Sequence, residues 1–333
     1  MSTKKIPKTK ILILGYSYIA RKSVIRSMQN NPYVDLVGIA SQKNCHSIPS
    51  EYSSYDSYED AIRNSGCDAV YISLHNSDHY KWIMESLKLN KHVICDKPAV
   101  LSSKQALECY KKAGDKLIVF ESIPYQYHAQ HKILKKGIEQ QKYPLQKITA
   151  HFGFPPFEKS NFRNFAKLGG GCLYDIGPYM ISAGRLYFDK RATSVYCSAY
   201  TPESWDVRIS ASVMIHYGEN QILQGHIGFN LEYRNNLNLW GYDFNYAIDR
   251  AFSTPWDFSN FITYKSKDKI KKIPIYPSDS FSEMFSFFHK LLHDETSRKG
   301  FNRKFLEQAI QMDAMIKSAE TQKPEIIEYG NIK

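Results

Sequence analysis

Lys10-Ile11-Leu12-Ile13-Leu14-Gly15-Tyr16-Ser17-Tyr18-Ile19-Ala20 is the stretch whose reading decides the fold. Lys10 to Gly15, with four consecutive apolar residues, reads as a short buried strand. Tyr18 to Asn30 reads as a helix, closed by Asn31-Pro32, and Val34 to Ala40 is a second apolar strand. In a strand–turn–helix of this kind the pattern G-x-G-x-x-G/A cradles a dinucleotide. Its first glycine makes the turn, the second lets backbone approach the pyrophosphate, and the third packs helix on strand. This chain keeps Gly15 and Ala20 and places Ser17 in the middle. The flanking strands and helix favour a cofactor turn, formed by Gly15, Ser17, Tyr18, Ile19 and Ala20, over an ordinary strand–helix turn. Beyond the second strand, Ala40-Ser41-Gln42-Lys43 offers no carboxylate for ribose hydroxyls. The Ser41 hydroxyl and the Lys43 ammonium suit a 2′-phosphate, so NADP(H) is expected ahead of NAD(H).

The alternation continues outward. Tyr58 to Ser65 reads as a helix, Ala69 to Leu74 as a strand, and Asp78 to Leu89 as a helix capped by Asn76 or Ser77. His92 to Cys95 is a strand, Ser102 or Ser103 starts a helix to Ala113, and Lys116 to Phe120 is a fifth strand. Short apolar strands between amphipathic helices imply a parallel sheet covered on both faces. After about residue 122 the pattern changes. Lys147 to Phe154, Ser194 to Tyr200, Arg208 to His216, Gln221 to Phe229, Asn236 to Phe244 and Ile270 to Ile275 are strand-like. Leu168 to Phe188 interrupts them with a glycine-rich turn and a helix, and Phe281 to His293 and Asn302 to Thr321 close the chain as helices. The expectation is two domains. Residues 1–122 form an α/β dinucleotide-binding domain, and residues 123–333 an α+β domain with a large, mostly antiparallel open sheet. The last helices could return to the first domain.

Composition excludes several classes. No apolar run approaches a membrane span, and the basic start precedes only Ile11 to Leu14, too short for a signal-peptide core. A cytoplasmic protein is expected. Six scattered cysteines form no C-x-x-C and no zinc spacing, so they read as reduced structural thiols, with no metal. The net charge of +11 is spread along the chain, with dense stretches at Lys4 to Lys10 and Lys265 to Lys272. In the second, Lys265, Lys267, Lys269 and Lys271 alternate and would share one face of a strand. No nucleic-acid motif accompanies the charge. A solvated surface, or attraction of a phosphorylated cofactor and an anionic substrate, accounts for it better.

The candidate chemistry lies in three segments. Asp96-Lys97-Pro98 follows the fourth strand, so Lys97 stands at a strand's carboxyl end, where open α/β sheets bind ligands. Lys97-Pro98 is also a bond at which cis geometry is available. Gly169-Gly170-Gly171-Cys172-Leu173-Tyr174-Asp175-Ile176-Gly177-Pro178-Tyr179 places Asp175 and Tyr179 four apart, on one helix face. Leu74-His75-Asn76-Ser77-Asp78-His79 ends the third strand. Each has a plainer reading. Lys97 could be a surface lysine, Tyr179 a core tyrosine, Asp175 a helix-start residue or substrate hydroxyl acceptor, and His79 a structural histidine.

Taken together, these segments resemble the glucose–fructose oxidoreductase / inositol dehydrogenase (Gfo/Idh/MocA) family nearly end to end. The matching motifs are the Rossmann turn, a P-N-x-x-H-like loop, E-K-P, E-x-x-x-Y and G-G-G-x-L-x-D-x-G-x-H/Y. The resemblance implies a Rossmann domain, an open-sheet domain that often mediates oligomerisation, and NAD(P)-dependent oxidation or reduction of sugars or inositols. By it, Lys97, Tyr179 and Asp175 are the expected catalytic residues. Leu74, Asn76, His79, Asp96 and Glu121 join the cofactor residues, and Tyr125 joins Asp175 and Tyr179 at the substrate. The expected chemistry is hydride transfer to or from a ring carbon of a sugar, with Tyr179 moving the proton and Lys97 steadying the oxygen. A homodimer or homotetramer through the second sheet is expected. The departures are Asp96 for Glu, His75 for Pro, Gln126 where Arg is frequent, and Ser17 for Gly. A keto sugar, free or nucleotide-linked, is the leading substrate. The rivals are a free aldose or cyclitol, and a catalytically quiet NADP(H)-binding sensor or partner protein.

Overall fold

The computed structural model describes residues 6–330, so Lys4 and Lys5 of the basic start lie outside the described residues. The chain folds into two compact units. The first comprises the residues up to Val100, Lys104–Ser122 and Phe281–Leu306. Its six strands are β1 (Thr9–Leu14), β2 (Val34–Ala40), β3 (Ser54–Tyr55), β4 (Ala69–Ile72), β5 (His92–Asp96) and β6 (Val119–Ser122). They pair in parallel in the order β3-β2-β1-β4-β5-β6. Ile11 to Leu14 and Ala69 to Ile72 are wholly buried, which is why both stretches are unbroken apolar runs rather than alternating ones.

Helices α1 (Ile25–Gln29), α2 (Tyr58–Asn64), α3 (Asn76–Lys88) and α4 (Ser103–Ala113) connect the strands. Ahead of α1 the chain makes one wide turn, Ala20–Val24, in which Ile25 N–H donates to the Ala20 carbonyl five residues back. Ser57 caps α2 by accepting from Asp60 N–H at 3.2 Å. For α3 the cap is His75, not Asn76 or Ser77. His75 is extended, Asn76 is already helical, and Asp78 places its negative charge in the first turn. Strand β6 runs two to three residues later than Lys116–Phe120, so Glu121 lies within it, opposite Cys95.

The second unit contains a nine-stranded sheet. Its strands are β7 (Leu145–Gly153), β8 (Ser194–Tyr200), β9 (Ser210–His216), β10 (Ile222–Gly228), β11 (Arg234–Gly241), β12 (Asn245–Asp249), β13 (Asn260–Ser266), β14 (Lys269–Ile275) and β15 (Glu325–Ile326). The order is β14-β13-β12-β11-β7-β10-β9-β8-β15, antiparallel except for the β7–β10 pair. Helix α5 (Ala129–Glu139) precedes the sheet, and α6 (Cys172–Phe188) packs across β7, β9 and β10. Gly184 of α6 makes this packing possible, because a Cβ there would stand 2.1 Å from the Tyr217 hydroxyl.

The four alternating lysines do not share one strand: Lys269 and Lys271 lie on β14, and Lys265 lies on β13. β13 ends at Ser266, Lys267 turns the chain at φ +50°, and β14 starts at Lys269. Lys265 therefore lies opposite Ile270 across a hairpin whose turn, Lys267-Asp268, contains no glycine, proline or asparagine to announce it.

Helix α7 (Ser280–His293) and the short α8 (Glu295–Arg298) belong to the first unit, and α9 (Asn302–Thr321) follows. Phe285 of α7 meets Tyr71 edge-on at 5.9 Å, Phe288 meets Phe120 at 5.6 Å, and Phe301 stacks on Phe120 at 5.6 Å. His289 Nδ1 hydrogen-bonds Thr9 Oγ1 at 2.9 Å. The last third of the chain thus supplies part of the first unit's core.

Candidate active site

The strand order of the first sheet reverses between β1 and β4, the place where doubly wound sheets bind nucleotides. Gly15 follows β1 there at φ +99°, a conformation L side chains rarely adopt. A Cβ at Gly15 would lie 2.1 Å from the Ser73 carbonyl oxygen, so only glycine lets this turn close on the end of β4. The helical segment then begins at Tyr18, placing the donors of a helix start beside the turn. Tyr18 is exposed, with the Lys22 ammonium 5.3 Å above its ring. A pyrophosphate fits this donor set. Ser41 is buried at the end of β2, where its Oγ accepts from Asn44 N–H at 3.1 Å while its own proton stays available to donate. Lys43 is exposed in the same turn.

Ser17 has a structural reason. Its Oγ accepts from Ala20 N–H at 3.1 Å and hydrogen-bonds Ser73 Oγ at 2.7 Å. Ser73 donates to Asp96 Oδ2 at 2.6 Å, and Tyr71 donates to Asp96 Oδ1 at 2.5 Å. One chain of polar groups therefore runs from the glycine turn to the residue before Lys97. It also accounts for Asp96 in place of Glu, since the shorter carboxylate is the length at which both hydroxyls of β4 and its end reach it. Burial pushes the Asp96 carboxyl up, opposed by those two hydroxyls.

The Lys97-Pro98 bond is cis. His79, wholly buried, ties the loop after it. Nδ1 lies 2.8 Å from the Pro98 carbonyl oxygen, and Nε2 lies 3.1 Å from that of Leu74. Burial lowers the His79 pKa, so the ring is neutral and donates from one nitrogen. Glu121 Oε1 accepts from Ala99 N–H at 3.0 Å. Asn76 is buried at the start of α3, and Leu74 and Ile19 are half-buried. The first unit thus gathers Gly15, Ser17, Ser41, Asp96, Lys97 and Glu121 at the carboxyl ends of its strands. His79 acts on the loops that carry them.

In the second unit, Gly169 at φ +73° and Gly171 at φ +95° bend the chain into α6. Gly170 lies so close to the Arg163 carbonyl oxygen that a Cβ would stand 2.5 Å from it. Asp175, buried in the first turn of α6, accepts from Arg163 Nε at 2.8 Å. Tyr179, one turn on, is half-buried, and its ring is packed by Phe152 at 5.1 Å, Phe252 at 5.6 Å and Tyr125 at 5.8 Å. Tyr125 is buried, and its hydroxyl bonds Ser182 Oγ at 2.9 Å. Burial pushes its phenol up. Arg163 is the residue that sequence reasoning missed. It lies 12 residues before Asp175 on a loop without a motif, and only folding brings them together. Among the described residues no cluster of His, Cys, Asp or Glu could hold a metal ion.

Residues 9–120 match the model of the GFO/IDH/MocA oxidoreductase family with its NAD-binding Rossmann fold, and residues 144–244 match that family's C-terminal domain. The chain belongs to the GFO/IDH/MocA family. It is an NAD(P)-dependent oxidoreductase with that family's two-part architecture. A dTDP-3,4-didehydro-2,6-dideoxy-alpha-D-glucose 3-reductase from Saccharopolyspora spinosa is 25% identical over 285 residues, covering 84% of this chain and 86% of that protein. The D-xylose 1-dehydrogenase (NADP(+)) 2 of Haloferax volcanii is 23% identical over 93% of this chain and 97% of its own length. A 3-ketoreductase from Actinomadura kijaniata, crystallised with NADP and TDP-benzene, superposes with a TM-score of 0.88 at 21% identity, covering 93% of this chain and 98% of that one. This GFO/IDH/MocA member shares its fold with that ketoreductase along nearly its whole length.

Proposed function

We propose that this GFO/IDH/MocA protein reduces a ring ketone of a nucleotide-linked sugar with NADPH. The observation that carries the reading is Tyr179, held one helical turn beyond the buried Asp175 by three aromatic rings. When bound, the cofactor supplies the hydride, and the protein must manage one proton. Tyr179 donates that proton to the carbonyl oxygen as it becomes an alkoxide, and Lys97 stabilises the same oxygen by its charge. Asp175 orients Arg163 and a sugar hydroxyl. Gly15, Ser17 and the helix start hold the pyrophosphate, and Ser41 and Lys43 favour the 2′-phosphate. The Saccharopolyspora and Actinomadura relatives support a keto-sugar substrate. The Haloferax dehydrogenase supports a second reading, oxidation of a free aldose.

The protein is also proposed to be a cytoplasmic homo-oligomer joined through its second sheet. Tyr196, Tyr200, Trp240 and Phe261 stand exposed on it, and five of the six free cysteines are buried. Among the described residues no helix is long and apolar enough to cross a membrane.

Steady-state NADPH oxidation with a panel of dTDP-linked and free keto sugars tests the reading. Turnover is expected with the nucleotide-linked members, and Tyr179→Phe lowers kcat by about 10²–10⁴-fold. Absence of NADPH consumption across the panel, or near-normal turnover by Tyr179→Phe, overturns it.

A further inference from the structure

Asp175 takes only one donor of Arg163, its Nε, at 2.8 Å. Arg163 Nη1 reaches Asn161 Oδ1 at a marginal 3.5 Å. Two rings pack against the guanidinium, Phe162 at 4.6 Å and Phe157 at 5.1 Å from its central carbon. Its backbone is fixed too, because Gly171 N–H donates to the Arg163 carbonyl at 2.8 Å and Gly170 packs against that carbonyl. The side chain is 28% exposed, whereas that of Asp175 is 8% exposed. An arginine that needed only to neutralise Asp175 would present two donors to it as a fork. Here the outer edge of an always charged fork is left partly exposed beside Asp175, which itself stands one helical turn before Tyr179. Its loop, Pro155 to Leu168, carries Lys159, Arg163 and Lys167 against Glu158 alone.

We propose that Arg163 is a specificity-determining residue that binds a phosphoryl group of the substrate's diphosphate through this outer edge. The inference rests on the keto-sugar reading above and narrows its substrate to a diphosphate-linked one. Asp175 and the two phenyl rings pre-organise the fork, so little side-chain entropy is lost on binding. A planar pair of N–H donors matches two oxygens of one phosphoryl group.

The test uses the full chain saturated with NADPH, so that the cofactor's own pyrophosphate site is filled. Arg163→Gln and Arg163→Lys are compared with the parent on a dTDP-linked keto sugar and on the free keto sugar, with inorganic pyrophosphate and inorganic phosphate as competitors. Arg163→Gln is expected to raise the KM of the linked sugar and the inhibition constant of pyrophosphate by about ten- to a hundredfold. The loss of the Asp175 contact raises the KM of the free sugar by a smaller factor and is common to both substrates, as is any loss of kcat, so the excess rise for the linked sugar reads the phosphoryl contact, and Arg163→Lys falls between. Phosphate competing as well as pyrophosphate would point to a sugar monophosphate and overturn the diphosphate assignment. Equal rises in both KM values would show that Arg163 only holds Asp175, and would overturn the proposal. If Arg163→Gln does not fold, as judged by its thermal midpoint, Arg163→Lys carries the test. If the parent reduces no keto sugar, the functional reading fails. Calorimetric binding of pyrophosphate to the NADPH complex of parent and variant still decides Arg163.

Discussion

Asp96 shows how a one-methylene difference is set by its neighbours. Its two carboxylate oxygens are each taken by a buried hydroxyl, Tyr71 at 2.5 Å and Ser73 at 2.6 Å. Asp96→Asn keeps the shape but turns one acceptor into a donor facing a hydroxyl. The expected loss is about 1.5–3 kcal/mol of stability, the worth of a hydrogen bond to a charged group. Asp96→Glu pushes an extra methylene into a filled site at about 1–3 kcal/mol. Urea unfolding of both variants checks this, and unchanged midpoints would mean the chain of hydroxyls carries no load. The motif around Asp96 was legible because strand ends and prolines leave local marks. Its partners were not, because Tyr71 and Ser73 come from another strand, and nothing local distinguishes a tyrosine that binds a carboxylate from a core tyrosine. Arg163 was illegible for the same reason.

At the scale of elements, legibility followed periodicity. β1, β2 and β8 are runs or alternations with clear turn residues on either side, and the expected bounds matched them to within a residue. β12 and β13 were missed. Asn245–Asp249 has five residues with two polar ends, and the hairpin at Lys267-Asp268 hid the end of β13 inside an apparently regular lysine pattern, although β14 itself matched its expected bounds to within a residue. The fit of α6 on the second sheet gives a sharper test. Gly184→Ala gains about 1 kcal/mol of helix propensity. The new Cβ would meet Tyr217 Oη at 2.1 Å and Cζ at 2.3 Å, and that ring is buried with its hydroxyl on the Ile181 carbonyl. Overpacking of this kind costs about 1–3 kcal/mol or more, so net destabilisation is expected. A raised thermal midpoint would show that the ring yields and propensity wins.

For the whole molecule, two histidines drawn into the fold contribute to the response to acid. His131 is enclosed with Nδ1 on the Tyr187 hydroxyl at 2.5 Å and Nε2 donating to the Ala251 carbonyl at 2.7 Å, and burial lowers its pKa to about 3. Burial and the Arg298 charge lower that of His92 to about 4. Below the ordinary histidine value the unfolded chain binds protons that the folded chain refuses, so stability rises with pH through that window and is complete above it. Between pH 7 and pH 5 each such histidine removes about 2 kcal/mol. His131→Gln should flatten the fall by that amount in urea unfolding at the two pH values. Equal slopes for parent and variant would refute the assignment.

The return of α7 to the first sheet bears on how the protein is made. Tyr71 and Phe120 lie in the first 122 residues, but Phe285, Phe288 and Phe301, which cover them, leave the ribosome much later. At about 5–20 residues per second, that interval lasts on the order of ten to thirty seconds. Throughout it the nascent nucleotide-binding half carries an apolar face waiting for a helix not yet synthesised. The second sheet is translated within the same interval, so the half that is encoded first is completed last.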